Sequence, residues 1–296
     1  MPKISRRRFL KISLISAIGT TAAGVSGFAY AHDIEPENLE IVQLELHLPR
    51  LDPAFDGYRL VQISDIHMGT GITTERLTHI VQMVNAQNPD AIALTGDYVT
   101  HGDIQPLLPG LVSAFSQLTP KDISVAILGN HDHWTDPVAV RGMMRDSGLT
   151  DLSNSVYTIQ RGDALLHLAG VDDYWQREDR LDDVLAQLPG NTCAVLLAHE
   201  PDYADISAAA GRFDLQISGH SHGGQVRLPI INRPITVPRY STIYPMGQYQ
   251  VGTMIQYTNR GVGTILPAVR FNCRPEITVF NLRAAATNQA DPKASI

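Results

Sequence analysis

Seven side chains able to bind a cation, Asp65, His67, Asp97, Asn130, His199, His220 and His222, stand at or just beyond the ends of five apolar runs. Leu60-Val61-Gln62-Ile63-Ser64 leads into Asp65-Ile66-His67, Ala91-Ile92-Ala93-Leu94-Thr95 into Gly96-Asp97, and Val125-Ala126-Ile127-Leu128 into Gly129-Asn130-His131-Asp132. Ala194-Val195-Leu196-Leu197-Ala198 leads into His199, and Leu215-Gln216-Ile217-Ser218 into Gly219-His220-Ser221-His222. Carboxylates, imidazoles and an amide carbonyl, with no thiolate among them, form a mixed oxygen and nitrogen set suited to divalent Mn, Fe or Zn. Seven donors are too many for one tetrahedral ion and suit two ions that share a carboxylate. Two ions about 3.5–4 Å apart can clamp the attacking and leaving oxygens at phosphorus and lower the pKa of bound water from about 15.7 towards ~7. Because the transition state spreads charge over phosphoryl oxygens, such a pair predicts hydrolysis of a phosphoester.

Side chains so far apart in sequence meet only if strands carry them. An apolar run of four or five residues that stops at a glycine or polar residue reads as a buried strand, where His, Asp and Asn are otherwise scarce. Between the first two runs, Leu77, Ile80, Val81 and Val84 follow helical spacing and define an amphipathic helix over 74–87, which makes the unit strand, helix, parallel strand. A further helix ends near Leu118. Asp136-Pro137 supplies an N-cap and a first-turn proline for a helix that reaches Gly148. Residues 164–170 read as a strand, and 180–188 and 201–210 as helices. The alternation of Val42, Leu44, Leu46 and Leu48 with polar residues predicts a strand with one wet face at 39–48. His47 on that face and His79 off the helical stripe are expected at the surface, and His167 inside its strand is expected to be structural. Residues 225–283, rich in Pro, Gly, Tyr, Thr and Val, read as short strands and turns. The whole predicts an α/β fold, an α-β-β-α sandwich of two mixed sheets with helices outside.

With 296 residues, 44 % hydrophobic and 18 % charged, the chain is long enough for one large domain, placed at residues 32–283. Residues 284–296 lack an apolar pattern and are expected to be a disordered tail. The net charge is −7, but five of the 23 basic side chains lie in the first 31 residues, leaving 18 against 30 acids, or −12. Such a surface disfavours nucleic acid as a partner. Cys193 and Cys273 are the only cysteines. They allow one bridge in an oxidising compartment.

The N-terminus, Ser5-Arg6-Arg7-Arg8-Phe9-Leu10-Lys11, precedes a charge-free stretch from Ile12 to Ala31 that ends in Ala29-Tyr30-Ala31. This pattern resembles a twin-arginine export signal, cut before His32, and implies passage through the twin-arginine machinery to the periplasm or cell envelope. The alternative is an uncleaved membrane anchor, since about 20 uncharged residues just cross a bilayer.

Asp65-x-His67, Gly96-Asp97, Gly129-Asn130-His131-Asp132, His199 and Gly219-His220-Ser221-His222 resemble the calcineurin-like metallophosphoesterases in order, spacing and strand context, from about Leu60 to His222. The resemblance implies that Asp65, His67 and His222 bind one metal, that Asn130, His199 and His220 bind a second, and that Asp97 bridges them. It gives His131 the role of contacting phosphate and assisting the leaving group. One departure is Thr100, where many members carry an acid that orients this histidine. Either Thr100 accepts a weaker hydrogen bond, or Asp132 or another acid substitutes, or His131 is less activated. The export signal, Gly223-Gly224-Gln225-Val226-Arg227-Leu228-Pro229 and Arg274-Pro275-Glu276-Ile277 look like the exported branch related to UDP-2,3-diacylglucosamine pyrophosphatases. That implies a phosphodiester or diphosphate on a lipid, sugar or wall polymer, with membrane or cell-wall association. A phosphomonoesterase and a non-catalytic wall-binding module on the same fold are the competing readings. Trp134, Tyr174, Trp175, Tyr240, Tyr244 and Tyr249 are candidates for a substrate groove, Asp172 and Asp173 for an acid pair beside it, and Arg227 for a phosphate contact.

Overall fold

The computed structural model of the chain describes Arg7 and residues 24–285. Its strands in chain order are β1 (Glu40–Leu48), β2 (Tyr58–Ile63), β3 (Ala91–Thr95), β4 (Ile123–Ile127), β5 (Thr150–Asp151), β6 (Ser155–Arg161) and β7 (Ala164–Gly170). They continue with β8 (Cys193–Leu197), β9 (Leu215–Ser218), β10 (Gly247–Val251), β11 (Met254–Thr258) and β12 (Glu276–Ala284). The helices are α1 (Thr74–Asn85), α2 (Leu108–Phe115), α3 (Asn130–Thr135), α4 (Pro137–Asp146), α5 (Leu181–Gln187) and α6 (Ala204–Ala209). Two six-stranded sheets form, in the orders β1-β12-β2-β3-β4-β5 and β10-β11-β9-β8-β7-β6. Within them β2, β3 and β4 run parallel to one another, as do β7, β8 and β9, whereas β12 is antiparallel to β2 and β10 to β11.

The period of two along each strand sorts its side chains between two faces. Leu60, Ala93, Val125 and Ile127 meet Leu166, Leu168, Val195, Leu197, Leu215 and Ile217 between the sheets. Val61, Ile63, Ile92 and Leu94 face the other way, onto Leu77, Ile80 and Val84 of α1, Leu111 and Phe115 of α2 and Met143 of α4. Beyond the second sheet, Ala169, Ala194 and Leu196 pack on Val184 of α5 and Ala204 of α6. Each buried aliphatic contributes roughly 1.5–3 kcal/mol, so three such layers fix the relative position of the strand tips. The expected α-β-β-α order of layers is what forms.

Local signals act where the sequence places them. Thr73 Oγ1 accepts from the Arg76 N–H (3.2 Å) at the start of α1, and Asp136 Oδ1 from the Ala139 N–H (3.0 Å) at the start of α4. Gln43, Glu45 and His47 of β1 are exposed while Leu46 and Leu48 are buried, and His79 is exposed. His167 is buried between Thr158 Oγ1 (2.8 Å) and Thr192 Oγ1 (2.7 Å), a structural histidine as expected. Four elements were not anticipated: the short β5, β6, the single turn and a half of α3, and the long β12 that inserts between β1 and β2. The bridge between cysteines does not form. Cys193 lies inside β8, Cys273 donates its thiol to the His222 carbonyl (3.2 Å), and both are buried free thiols.

Most of the proposed export segment lies outside the described residues, as does the tail beyond 285. Among the described residues no helix is long and apolar enough to cross a membrane. The bond after Ala31 lies within the helical turn Tyr30–Ile34, and the buried Ala31 carbonyl accepts from the Arg270 N–H (2.8 Å).

Arg270 is fully buried and donates to the carbonyls of Arg260, Gly261, Gly263 and Cys273. The loop it gathers matters, because Val262 N–H and Gly263 N–H donate to the Ser64 and Asp65 carbonyls (3.0 and 2.8 Å) at the tip of β2. Replacing Arg270 by Met leaves these carbonyls without donors in a dry interior. The expected loss is about 3 kcal/mol or more, measurable as a lower urea midpoint and a lower Tm.

Candidate metal centre

The seven predicted donors stand at the C-terminal ends of the central strands, and all seven are buried. Asp65 and His67 follow β2, Asp97 follows β3, Asn130 opens α3 after β4, His199 follows β8, and His220 and His222 follow β9. Ligand atoms of Asp65, His67 and His222 lie within 4.8 Å of one another, and the same holds for Asp97, His199 and His220. Asp97 Oδ2 stands 3.5 Å from His67 Nε2 and 3.2 Å from His199 Nε2, between the two groups. His222 Nε2 is 3.3 Å from Asp65 Oδ1 and 3.1 Å from His67 Nε2.

The backbone bends sharply to achieve this. Asp65, His67, Asp97, His220 and His222 have φ between 49° and 68°, the left-handed region. Each such residue costs about 1–3 kcal/mol, so the strain is concentrated where the donors are. Close approach is enforced by glycines: a Cβ at Gly219 would run into Ser64 Oγ and Asp65 Oδ2, and one at Gly129 into Asp97 Oδ1. The Asp132 carboxylate accepts from the N–H groups of Gly129, Asp97 and Tyr98 (each 2.9 Å). It therefore ties the tip of β3 to the tip of β4 and is not available to orient a histidine.

Backbone carbonyls set the imidazole tautomers. A carbonyl only accepts, so His199 Nδ1–H donates to Thr95 O (2.6 Å), leaving Nε2 towards Asp97. His220 Nε2–H donates to Arg239 O (2.8 Å), leaving Nδ1 for the cluster. His131 Nδ1–H donates to Thr100 O (2.6 Å), and its own N–H donates to Asp97 Oδ1 (2.9 Å). The question raised by Thr100 is thereby answered in a way the sequence does not suggest: the main chain, not a side chain, orients His131. The Thr100 hydroxyl serves His67 instead, 3.2 Å from its Nδ1.

The chemistry of the set fits cations. Asn130 Oδ1 and His199 Nε2 are buried atoms without a hydrogen-bond partner among the described residues. Burial pushes His67 down to about 3 despite the pull of Asp97, and it lowers His220 and His222 as well, so these lone pairs are free at neutral pH. Burial, opposed by His199 and reinforced by Asp97, pushes the Asp65 carboxyl up to about 6. Against the effect of burial, Asp97 holds His199 well above its ordinary range, so one imidazolium stands against the two carboxylates, and a divalent ion there would take the place of that proton.

The aromatic expectations divide. The Trp134 ring lies 4.7 Å from His131 and 5.2 Å from Trp175, and Trp175 lies 5.6 Å from His220 and 5.7 Å from Tyr240, which touches Tyr174 at 5.0 Å. These four line one side of the cluster. Tyr244 and Tyr249 do not; they meet edge-to-face at 5.1 Å, and the Tyr244 hydroxyl donates to Asp205 (2.7 Å). Arg227 is buried and spent on Gly223 O and Asn232, so it is not a phosphate contact. Asp172 holds His133 and Arg141 (2.8 and 2.6 Å) rather than facing the cluster. Asp173 is buried beside Glu200, and burial with that neighbouring charge pushes it up to about 10, so Asp173 carries a proton at neutral pH. Glu200, unremarked in the sequence although it follows His199 directly, accepts from the Tyr174 and Trp175 N–H groups (3.2 and 3.4 Å) and so aims Trp175 at His220.

Comparison with known proteins agrees with this geometry. Residues 58–224 match the calcineurin-like phosphoesterase family. The metallophosphoesterase YkuE of Bacillus subtilis is 35 % identical over 96 % of this chain and 99 % of its own length. The phosphodiesterase YaeI of Escherichia coli is 30 % identical over 94 % of this chain and 99 % of its own. The UDP-2,3-diacylglucosamine pyrophosphatase LpxG of Chlamydia muridarum is 23 % identical over 90 % and 96 %. The chain belongs to the calcineurin-like metallophosphoesterases and is a metal-dependent phosphoric ester hydrolase.

Proposed function

We propose that the protein is a binuclear phosphodiesterase or pyrophosphatase, acting in the cell envelope on a phosphodiester or diphosphate carried by a lipid, sugar or wall polymer. The observation that carries the binuclear reading is the pair of donor groups sharing Asp97, with Asn130 Oδ1 and His199 Nε2 left unpartnered. Asp65, His67 and His222 would hold one ion and Asn130, His199 and His220 the other, with Asp97 serving both. When bound, two divalent ions of Mn, Fe or Zn supply positive charge at the phosphoryl oxygens and acidify a water. The rest is done by the chain. His131, fixed through Nδ1 by Thr100 O, presents Nε2 to the phosphoryl group and to the departing oxygen. Trp134 and Trp175, in edge contact at 5.2 Å, wall that side of the site. The diester preference is supported by the likeness to the phosphodiesterase YaeI and the pyrophosphatase LpxG. The envelope location is supported by the twin arginines and the charge-free stretch after them.

Metal-replete protein is expected to hydrolyse bis-p-nitrophenyl phosphate faster than p-nitrophenyl phosphate, to lose turnover in a chelator, and to regain it with Mn, Fe or Zn. Preference for the monoester would reverse the ranking. Changing His131 to Ala should slow turnover by ~10²-fold or more with both ions retained, whereas His220→Ala should lose one ion. Elemental analysis separates the two, and loss of both ions from the His131 variant would mean that ligand and acid have been exchanged. Gly219→Ala should push Asp65 away and lower the metal content while the far-ultraviolet circular dichroism stays unchanged; full metal content in that variant would show that the close packing at Gly219 is dispensable.

A further inference from the structure

From Leu215 to Pro275 the sequence holds six arginines and no acidic residue, in a chain whose net charge is −7. Within this stretch one irregular loop exposes Leu228 (43 %), Ile230 (103 %), Ile231 (60 %) and Ile235 (60 %), and a second loop exposes Leu266 (68 %). The two loops are joined. Val226 bridges to Phe271, the Arg227 N–H donates to Phe271 O (2.9 Å), and Gln225 Nε2 donates to Ile265 O (3.1 Å) and Pro267 O (3.2 Å). Single exposed aliphatics are ordinary, but a group of large ones on one face marks a contact with something apolar.

Charge identifies the occupant. Arg233 and Arg239 are exposed on the same loop. Of the neighbouring carboxylates, Asp202 accepts from the N–H groups of Thr242, Ile243 and Tyr244 and Glu35 from those of Asn272 and Cys273, while Asp33 and Asp103 border the Leu266 loop beside Ala268. Protruding aliphatics flanked by guanidinium groups, on a stretch with no acidic residue of its own, match a layer of anionic phosphates over hydrocarbon. The chain also arrives at this place: Tyr30 and Asn232 line one cavity, and residues 12–31 before it carry no charge. A second cavity of about 400 Å³, walled by Val226, Ile235, Val237, Leu266 and Val269, runs between this face and Ser221 and His222 of the metal cluster.

We propose that residues 228–239 with Leu266 form a docking face that seats the protein on the surface of an anionic bilayer, with the metal cluster opening at the edge of that contact. The aliphatics enter the headgroup layer, and Arg233 and Arg239 pair with lipid phosphates.

Because Cys193 and Cys273 are buried, a surface thiol can be labelled selectively in the full chain. Ile231→Cys, and separately Ile230→Cys, would carry an environment-sensitive fluorophore, with Asp163→Cys in the distant β6–β7 turn as reference. Far-ultraviolet circular dichroism and a cooperative thermal transition check that each labelled protein is folded. With phosphatidylcholine vesicles containing phosphatidylglycerol, the labels at 230 and 231 should shift to the blue and brighten several-fold, and the label at 163 should not. Pure phosphatidylcholine should give a weaker response, as should Arg233→Glu combined with Ile231→Cys. No response at 230 and 231 in folded protein, an equal response at 163, or indifference to phosphatidylglycerol would each overturn the proposal. Because the reading is independent of turnover, an inactive but folded chain that responds in this way would sustain the docking face while removing the enzymatic proposal.

Discussion

Two carboxylates and four imidazoles packed out of reach of water stay together only if positive charge stands between them. Unit charges about 4 Å apart interact by roughly 4 kcal/mol even at the moderate effective dielectric of a protein, so an unneutralised Asp65 and Asp97 would work against the fold that unites them. The rest of the molecule can be understood as the means of making that arrangement affordable. Three apolar layers hold the strand tips in place, the left-handed backbone at Asp65, His67, Asp97, His220 and His222 turns the donors inward, and Arg270 gathers the loop whose N–H groups secure the Asp65 carbonyl.

The division of labour within the Gly129-Asn130-His131-Asp132 stretch follows from the same constraint. Asn130 turns an unpartnered oxygen into the buried space, and His131 stands at its half-buried rim. Asp132 spends its carboxylate on main-chain N–H groups, those of Gly129, Asp97, Tyr98 and Val99, which makes it the fastener between neighbouring strand tips. Three adjacent polar residues thus do three different things, and their types alone do not reveal which does what.

The metal cluster was legible because its donors come at strand ends, and a strand end has only one place to go once the apolar faces are sorted. Val61 against Leu60 and Val125 against Ala126 carry that sorting in their alternation. The order of the layers follows from the same signal together with the helical spacing of Leu77, Ile80 and Val84. Long-range pairing was not legible: nothing in Glu276–Ala284 says that this strand inserts between β1 and β2, because partner choice depends on residues more than two hundred positions away. Arg227, Tyr244 and Tyr249 misled for a related reason. An arginine or tyrosine near a motif is equally suited to substrate and to local packing, and only the partners it meets, here Asn232, Asp205 and another tyrosine, decide.

The imidazoles of His131, His199 and His220 are held by the carbonyls of Thr100, Thr95 and Arg239. An acceptor that belongs to the main chain survives any exchange of the side chain attached to it, and it has no ionisable form to lose in acid. Ring orientation is thereby insulated from point substitution at these three positions and from protonation of the acceptor. What it remains vulnerable to is a shift in loop length, since moving the peptide plane is the only way to take that oxygen away.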